Sequence, residues 1–236
     1  MTGKIISGIP NLLTLTNLAA GLCGIILIME GKLTYVGWFL LIALVADLAD
    51  GFTARLLKAD GALGAQLDSL ADLVSFGVFP LLLYYHLAGL ESELNKSLLI
   101  VVSIVYVCSA AFRLAKFNLS EDQTYYFNGL PTPAAGLAVF SLCIPYLYTP
   151  AYGIPLVWEM GHWSSIAVLI LAILMNSPLR FVAFKFRSLK IRDSWPQYLV
   201  MLGFVICIAL FGINGMAPGM MLYLLVSVLH HFIFKY

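Results

Sequence analysis

Charge is what this chain lacks. Only 11% of its 236 residues are Asp, Glu, Lys or Arg, while 61% are hydrophobic. An ordinary soluble domain carries about 25% charged residues. The scarcity excludes a disordered chain, a water-soluble enzyme with one packed core and a nucleic-acid partner. With a mean hydropathy of +0.95, the chain needs a bilayer as solvent. Cysteine is scarce too. Cys23, Cys108, Cys143 and Cys207 are scattered through apolar stretches without a CxxC pair, so they are predicted to be small buried hydrophobes. His86, His162, His230 and His231 lack metal-ligand spacing and sit near the ends of apolar runs, as interfacial residues do. No cleavable leader is expected either. The first apolar run, about 9–29, is too long for a signal-peptide core and has no A-x-A-like cleavage site, so it reads as a retained first span.

What is present is a series of apolar runs of about 20 residues, the length that crosses a bilayer as a helix. They predict an all-α polytopic bundle of about eight transmembrane helices, at 10–29, 34–57, 63–88, 97–117, 132–148, 163–184, 195–212 and 216–234. Turn residues mark the breaks: Glu30-Gly31-Lys32, Ala59-Asp60-Gly61, Glu91-Ser92-Glu93 and Asn214-Gly215. Asn176-Ser177-Pro178 is predicted to interrupt or kink the sixth helix. No repeat or low-complexity segment divides the chain, so 1–236 reads as one integral membrane domain. With the N-terminus in the cytoplasm, 11 of the 13 basic residues fall on the cytoplasmic side: Lys4, Arg55, Lys58, Arg113, Lys116, Arg180, Lys185, Arg187, Lys190, Arg192 and Lys235. Only Lys32 and Lys96 fall outside. The positive-inside rule therefore predicts cytoplasmic N- and C-termini.

The few acids carry the chemistry. Four of the 12, Asp47, Asp50, Asp68 and Asp72, lie on two consecutive apolar helices. A charge at the centre of a bilayer helix costs about 2.5–3.5 kcal/mol even on the lenient insertion scale, so these groups must face water, cations or each other. At about 100° per residue, Asp47, Asp50, Gly51 and Ala54 share an arc of about 100°, and Gly64, Asp68, Asp72 and Ser75 one of about 80°. The short turn near Asp60-Gly61 makes the two helices antiparallel neighbours, so the four carboxylates can converge. Small residues on the same faces leave room for a close helix or a bulky ligand. Convergent carboxylates are hard oxygen ligands for Mg²⁺, Mn²⁺ or Ca²⁺, and such ions near a membrane surface serve phosphate chemistry. Two other readings stay open on geometry alone. One is a cation- or proton-coupled transporter using the same acids; the other is structural pairing with Arg55.

The pattern Asp47-x2-Asp50-Gly51-x2-Ala54-Arg55-x8-Gly64-x3-Asp68-x3-Asp72 resembles the signature of the CDP-alcohol phosphotransferases at every fixed position. Further segments resemble the phosphatidylserine synthase branch of that family: 10–17, beginning Pro10-Asn11; 68–80, with Ser75-Phe76-Gly77; 111–118, with Arg113 and Lys116; and 127–135, with Gly129-Leu130-Pro131-Thr132-Pro133. The resemblance implies a six-helix catalytic core over about 10–184, with two additional helices over 195–234. It implies transfer of the phosphatidyl group from CDP-diacylglycerol to the hydroxyl of L-serine, giving phosphatidylserine and CMP. Other acceptors within the family, glycerol phosphate or inositol phosphate, are alternatives, as is an isoprenoid-ether lipid donor.

The resemblance also implies the roles of residues. Asp47, Asp50, Asp68 and Asp72 would hold Mg²⁺ or Mn²⁺, with two ions per site, and Asp72 would act as the general base. Asn17, Gly51, Ala54, Arg55, Gly64 and Ser75 would form the CDP-lipid site. For Asn17 and Ser75 a plain helix-to-helix hydrogen bond is the alternative, and for Arg55 a snorkelling or acid-pairing role. Arg113, Lys116, Gly129 and Pro131 are candidates for the acceptor end, with positive-inside anchoring the alternative for the two bases. Apart from the resemblance, the basic cluster Arg180, Lys185, Arg187, Lys190 and Arg192 after the sixth helix would contact anionic lipid or signal topology. A homodimer in the cell (cytoplasmic) membrane, with its active site facing the cytoplasm, completes the expectation.

Overall fold

The computed structural model describes residues 8–57, 61–91, 96–119, 127–148, 162–182 and 195–233. Its architecture is the expected all-α polytopic bundle. The helices are α1 (Gly8–Met29), α2 (Val36–Leu57), α3 (Ala62–Asp72), α4 (Phe79–Glu91), α5 (Lys96–Leu119), α6 (Thr132–Leu147), α7 (His162–Met175), α8 (Trp195–Phe211) and α9 (Met216–Ile233). A π-helical turn, Leu73–Val78, joins α3 to α4 into one rod. Among the described residues this makes eight apolar rods. Four of them, 8–29, 33–57, 62–90 and 96–119, are single spans long and apolar enough to cross a membrane. The stretch 195–233 also qualifies, but the turn Gly212–Gly215 folds it into a hairpin of α8 and α9. α6 and α7 are shorter apolar helices.

Local chemistry explains the ends. The α1–α2 turn has Gly31 at φ +70°, a conformation that suits glycine, and an exposed Lys32–Glu30 ion pair of 2.7 Å. Pro131 caps α6, and Pro133 sits in its first turn, where a missing N–H costs nothing. In the α8–α9 hairpin, Gly212 at φ +60° opens the turn and Gly215 packs on the backbone of Cys207.

The core lies where α1, α4, α5, α6 and α7 meet, around the fully buried Phe76, Phe79, Leu83, Tyr84, Tyr106 and Ile144. Glycines bring the rods close. A methyl on Gly21 would collide with Ser75, one on Gly24 with the Phe79 ring, and one on Gly136 with the backbone of Phe76. The outer faces are apolar and exposed, as lipid-facing helices should be: Trp38, Leu41, Val45, Leu48 and Phe52 on α2, and Leu202, Val205 and Leu210 on α8.

Several expectations need correction. The sixth helix stops at Met175 instead of continuing to 184. Asn176 ends it by donating to the carbonyl and hydroxyl oxygens of Ser109 on α5, at 3.0 and 2.6 Å. The chain beyond becomes a two-residue strand, β2 (Arg180–Phe181), antiparallel to β1 (Phe127–Asn128), with Phe127 opposite Phe181 and Asn128 opposite Arg180. This pair is the one departure from helix and turn among the described residues. The third rod runs 62–91 instead of 63–88, and its middle is π-helical, which apolar periodicity does not reveal. Of the cysteines, Cys143 is buried, but Cys23 and Cys108 are exposed on outward faces, where lipid makes exposure inexpensive for a small apolar side chain. The predicted roles of Lys4, Lys58, Asp60, the 185–192 basic cluster and Lys235 concern positions outside the described residues.

Candidate active site

Three rods build the site. α2 brings Asp47 and Asp50, α3 brings Asp68 and Asp72, and α1 packs against both helices with its polar face. One oxygen from each of Asp47, Asp50 and Asp68 can be chosen so that all three lie within 4.8 Å of one another. Asp50 is buried, and the other two are partly buried. Asp72 lies one turn deeper and is buried; its carboxyl group is within hydrogen-bonding reach of Asp47. Asp47 is repelled by Asp68 and Asp50, and Asp72 by Asp47 and Asp68, while Arg113 attracts Asp72. So many carboxylates at this spacing must share a cation or a proton. Converging oxygens without a thiolate or imidazole suit a hard divalent ion, so the donor set fits Mg²⁺ or Mn²⁺.

α1 holds the acids in place. The Thr14 hydroxyl, itself buried, donates to Asp50 Oδ2 at 2.6 Å, and it also lies 3.1 Å from the Pro10 carbonyl. Asn17 Nδ2 donates to Asp72 Oδ1 at 3.3 Å. Ser75, the third residue of the π turn, donates to the Asn17 carbonyl at 2.9 Å. π-helical turns recur at functional sites because they re-aim side chains locally. Here the turn begins immediately after Asp72.

Beside the acids opens a cavity of about 460 Å³ lined by Pro10, Asn11, Thr14, Asp50, Gly51, Ala54, Gly61, Ala62, Gly64, Ala65 and Asp68. This is the size range of small-molecule and cofactor pockets. A methyl built on Gly51 meets nothing within 4 Å, so its missing side chain is cavity space and not packing space. A methyl on Gly64 would stand 3.3 Å from Asn11 Oδ1.

The structure sorts the predicted residues. Asp50, Gly51, Ala54, Gly64 and Asp68 line the cavity, with Asp47 and Asp72 bonded or clustered to that wall. Asn17 and Ser75 do not line it: both are buried in helix-to-helix hydrogen bonds. Arg55 is exposed on the last turn of α2, next to the cavity-lining Ala54. Arg113 is buried and donates from Nη1 to Thr132 Oγ1 at 2.6 Å, with its Nε buried and unpartnered. Lys116 is exposed. Gly129 and Pro131 are packing and turn residues: Gly129, at φ +85°, lies against the Met175 carbonyl, and Pro131 caps α6. Thr14, Asn11 and Thr132 were not singled out from the sequence. The signal for Thr14 was its spacing of three from Asn17 and four from Pro10, which puts the three on one face of an apolar helix.

The chain is similar to known proteins over most of its length. Residues 7–175 match the sequence model of the CDP-alcohol phosphatidyltransferase family. The chain is 29% identical over 223 residues to the CDP-diacylglycerol–serine O-phosphatidyltransferase of Helicobacter pylori, covering 93% of this chain and 89% of that protein. It is 30% identical over 177 residues to the enzyme of the same name from Bacillus subtilis, covering 75% of this chain and 91% of the relative. The archaetidylserine synthase of Methanothermobacter thermautotrophicus is 32% identical over 143 residues, 60% of each chain. The family match spans α1 to α7 and contains all four site aspartates, and on that ground this membrane protein belongs to the CDP-alcohol phosphatidyltransferase family.

Proposed function

We propose that the chain makes phospholipid by transferring the phosphatidyl group of CDP-diacylglycerol to the hydroxyl of L-serine, releasing CMP. The observation that carries this reading is the clustering of Asp47, Asp50 and Asp68, with one oxygen from each within 4.8 Å of the others, beside a cavity of about 460 Å³ that Asp50 and Asp68 line. The relatives' names point to serine as the acceptor. Family membership decides against the transport reading of the same acids.

Asp47, Asp50 and Asp68 would hold the metal, with Asp72 reaching it from below through its contact with Asp47. A bound Mg²⁺ or Mn²⁺ would neutralise the donor's diphosphate and the CMP that leaves. Gly51, Ala54 and Gly64 provide the width for the nucleotide diphosphate. Arg55, exposed and one residue past the cavity-lining Ala54, would meet a donor phosphate. Asp72 takes the proton of the serine hydroxyl, which attacks the lipid-side phosphorus in line; Asn17 fixes the rotamer of that carboxylate. Arg113, drawn toward Asp72, offers its unpartnered Nε to the serine carboxylate. The N-terminus and the ends carrying Arg55, Arg113 and Lys116 face the cytoplasm, and the enzyme works as a homodimer in the cytoplasmic membrane.

The test uses purified protein in detergent or vesicles with CDP-diacylglycerol and each candidate alcohol, following CMP release. Serine-dependent release that stops with a chelator and returns with Mn²⁺ or Mg²⁺ is the expected result. Release with glycerol phosphate or inositol phosphate instead would reassign the acceptor. Because one relative is an archaetidylserine synthase, an isoprenoid-ether donor belongs in the same series; it presents the same diphosphate.

A further inference from the structure

The family match ends at Met175, so the α8–α9 hairpin lies beyond it. The hairpin nevertheless reaches the acceptor end of the site. β2 pairs with β1 along one edge, through 179 and 181; its other edge, at 180 and 182, faces α9. An open strand edge inside an apolar bundle needs partners, since lipid offers none. α9 supplies them from a polar stripe. The Val182 N–H donates to Ser227 Oγ at 3.3 Å, the Arg180 N–H to His231 Nδ1 at 3.3 Å, and the Tyr223 hydroxyl to the Val182 carbonyl at 3.3 Å. Tyr223, Ser227 and His231 follow at i, i+4 and i+8, so they stand on one helix face. Their spacing of about 6.0 Å per four helical residues matches the roughly 6.6 Å that separates alternate residues of a strand. The helix is therefore in register with the edge it covers.

From β2 the connection runs to Arg113. Gly129 N–H donates to the Leu179 carbonyl at 2.8 Å, and Leu130 N–H to the Leu174 carbonyl at 3.0 Å. Two residues on, Thr132 Oγ1 holds Arg113 Nη1 at 2.6 Å. Tyr223, buried on α9 with its ring 6.5 Å from that of Phe181, also interacts electrostatically with the Arg113 guanidinium.

We propose that α9 is a positioning element of this enzyme: the Tyr223–Ser227–His231 stripe clamps β2 and, through β1 and Thr132, holds Arg113 in place to receive the acceptor's carboxylate. The proposal rests on the acceptor role given to Arg113 above. The stripe touches no substrate, and the cavity is lined by α1, α2, α3 and the turn before α3.

The experiment measures steady-state kinetics of the full chain for Tyr223→Phe/Ser227→Ala, for Ser227→Thr and for Arg113→Lys, varying serine and donor separately. The clamp variant should raise the KM for serine at least about fivefold, the low end for loss of two ordinary hydrogen bonds, while leaving kcat and the KM for CDP-diacylglycerol unchanged. Ser227→Thr, which keeps both hydroxyls of the stripe, should show the wild-type value. Adding the clamp substitutions to Arg113→Lys should raise the serine KM no further, because both act through one group. A clamp variant with unchanged serine KM, or one in which serine and donor parameters worsen in parallel, overturns the proposal. An Arg113→Lys variant with unchanged serine KM overturns instead the acceptor role on which it rests.

Discussion

Removing the Thr14 hydroxyl should weaken metal binding without unfolding the protein. In Thr14→Val the side chain keeps its shape, and both residues are β-branched, so α1 should tolerate the change. What is lost is the 2.6 Å hydrogen bond to Asp50 Oδ2. The contact is short and made to a charged acceptor, and both partners are buried. Pro10's carbonyl, the second acceptor near that hydroxyl, still receives its ordinary helical N–H. A hydrogen bond to a charged group is worth about 1.5–3 kcal/mol, and each 1.4 kcal/mol is about tenfold in a binding constant. The metal requirement should therefore rise about 10- to 100-fold, the range typical when a residue orienting a metal ligand is removed. Thr14→Ser keeps the donor and should stay within about threefold of wild type. The assay titrates Mn²⁺ against CMP release and, separately, measures Mn²⁺ binding to donor-free protein. If Thr14→Val and Thr14→Ser require the same metal concentration, Asp50 is not held for a cation by α1, and the reasoning fails.

Glycines supply a paired test. Gly51→Val should leave the melting temperature near wild type and raise the donor KM, since the new side chain enters open cavity space. Gly136→Ala should lower stability by about 1–3 kcal/mol, the usual cost of overpacking, because its methyl would stand 2.6 Å from the Phe76 carbonyl oxygen; thermal unfolding in detergent separates the two. Asp72→Asn should abolish turnover while sparing donor binding measured by calorimetry. Loss of donor binding instead would make Asp72 chiefly a metal ligand.

The acid cluster was legible in the sequence because it rests on local periodicity. Asp47, Asp50 and Gly51 lie within one turn of one helix, and Gly64 and Asp68 within one turn of the next. A short connection makes the two helices neighbours, so helical angles alone bring the acids together. Ser75 shows where that arithmetic stops. A 100° step continued past Asp72 places it on the face of the acids. The backbone changes to π geometry at Leu73, and Ser75 instead meets the Asn17 carbonyl. Nothing in Leu73-Val74-Ser75-Phe76-Gly77-Val78 distinguishes a π turn from an α turn by apolar pattern. The early end of α7 is similar: Asn176-Ser177-Pro178 signals a break, but Ser109, the partner on which Asn176 closes the helix, lies on another helix, which the sequence does not show.

The energetics of the bilayer explain why acids were conspicuous and their supports were not. A carboxylate on an apolar helix is costly enough that its presence demands a reason. A threonine, serine or asparagine there can find a partner on its own or a neighbouring helix, and such a contact is worth only about 0.6 kcal/mol on average. Thr14, Asn17, Thr132 and Ser227 therefore look the same in sequence as Ser103, whose hydroxyl merely returns to the Leu99 carbonyl of its own helix. Only the fold separates them. Thr14 and Asn17 reach Asp50 and Asp72, Thr132 receives Arg113, and Ser227 covers a strand edge. Charge marks where the chemistry is done, while the low-cost polar residues that aim it are identified by what they touch. A search of the sequence limited to titratable groups finds the candidate metal ligands of such an enzyme and misses the residues that hold them in place.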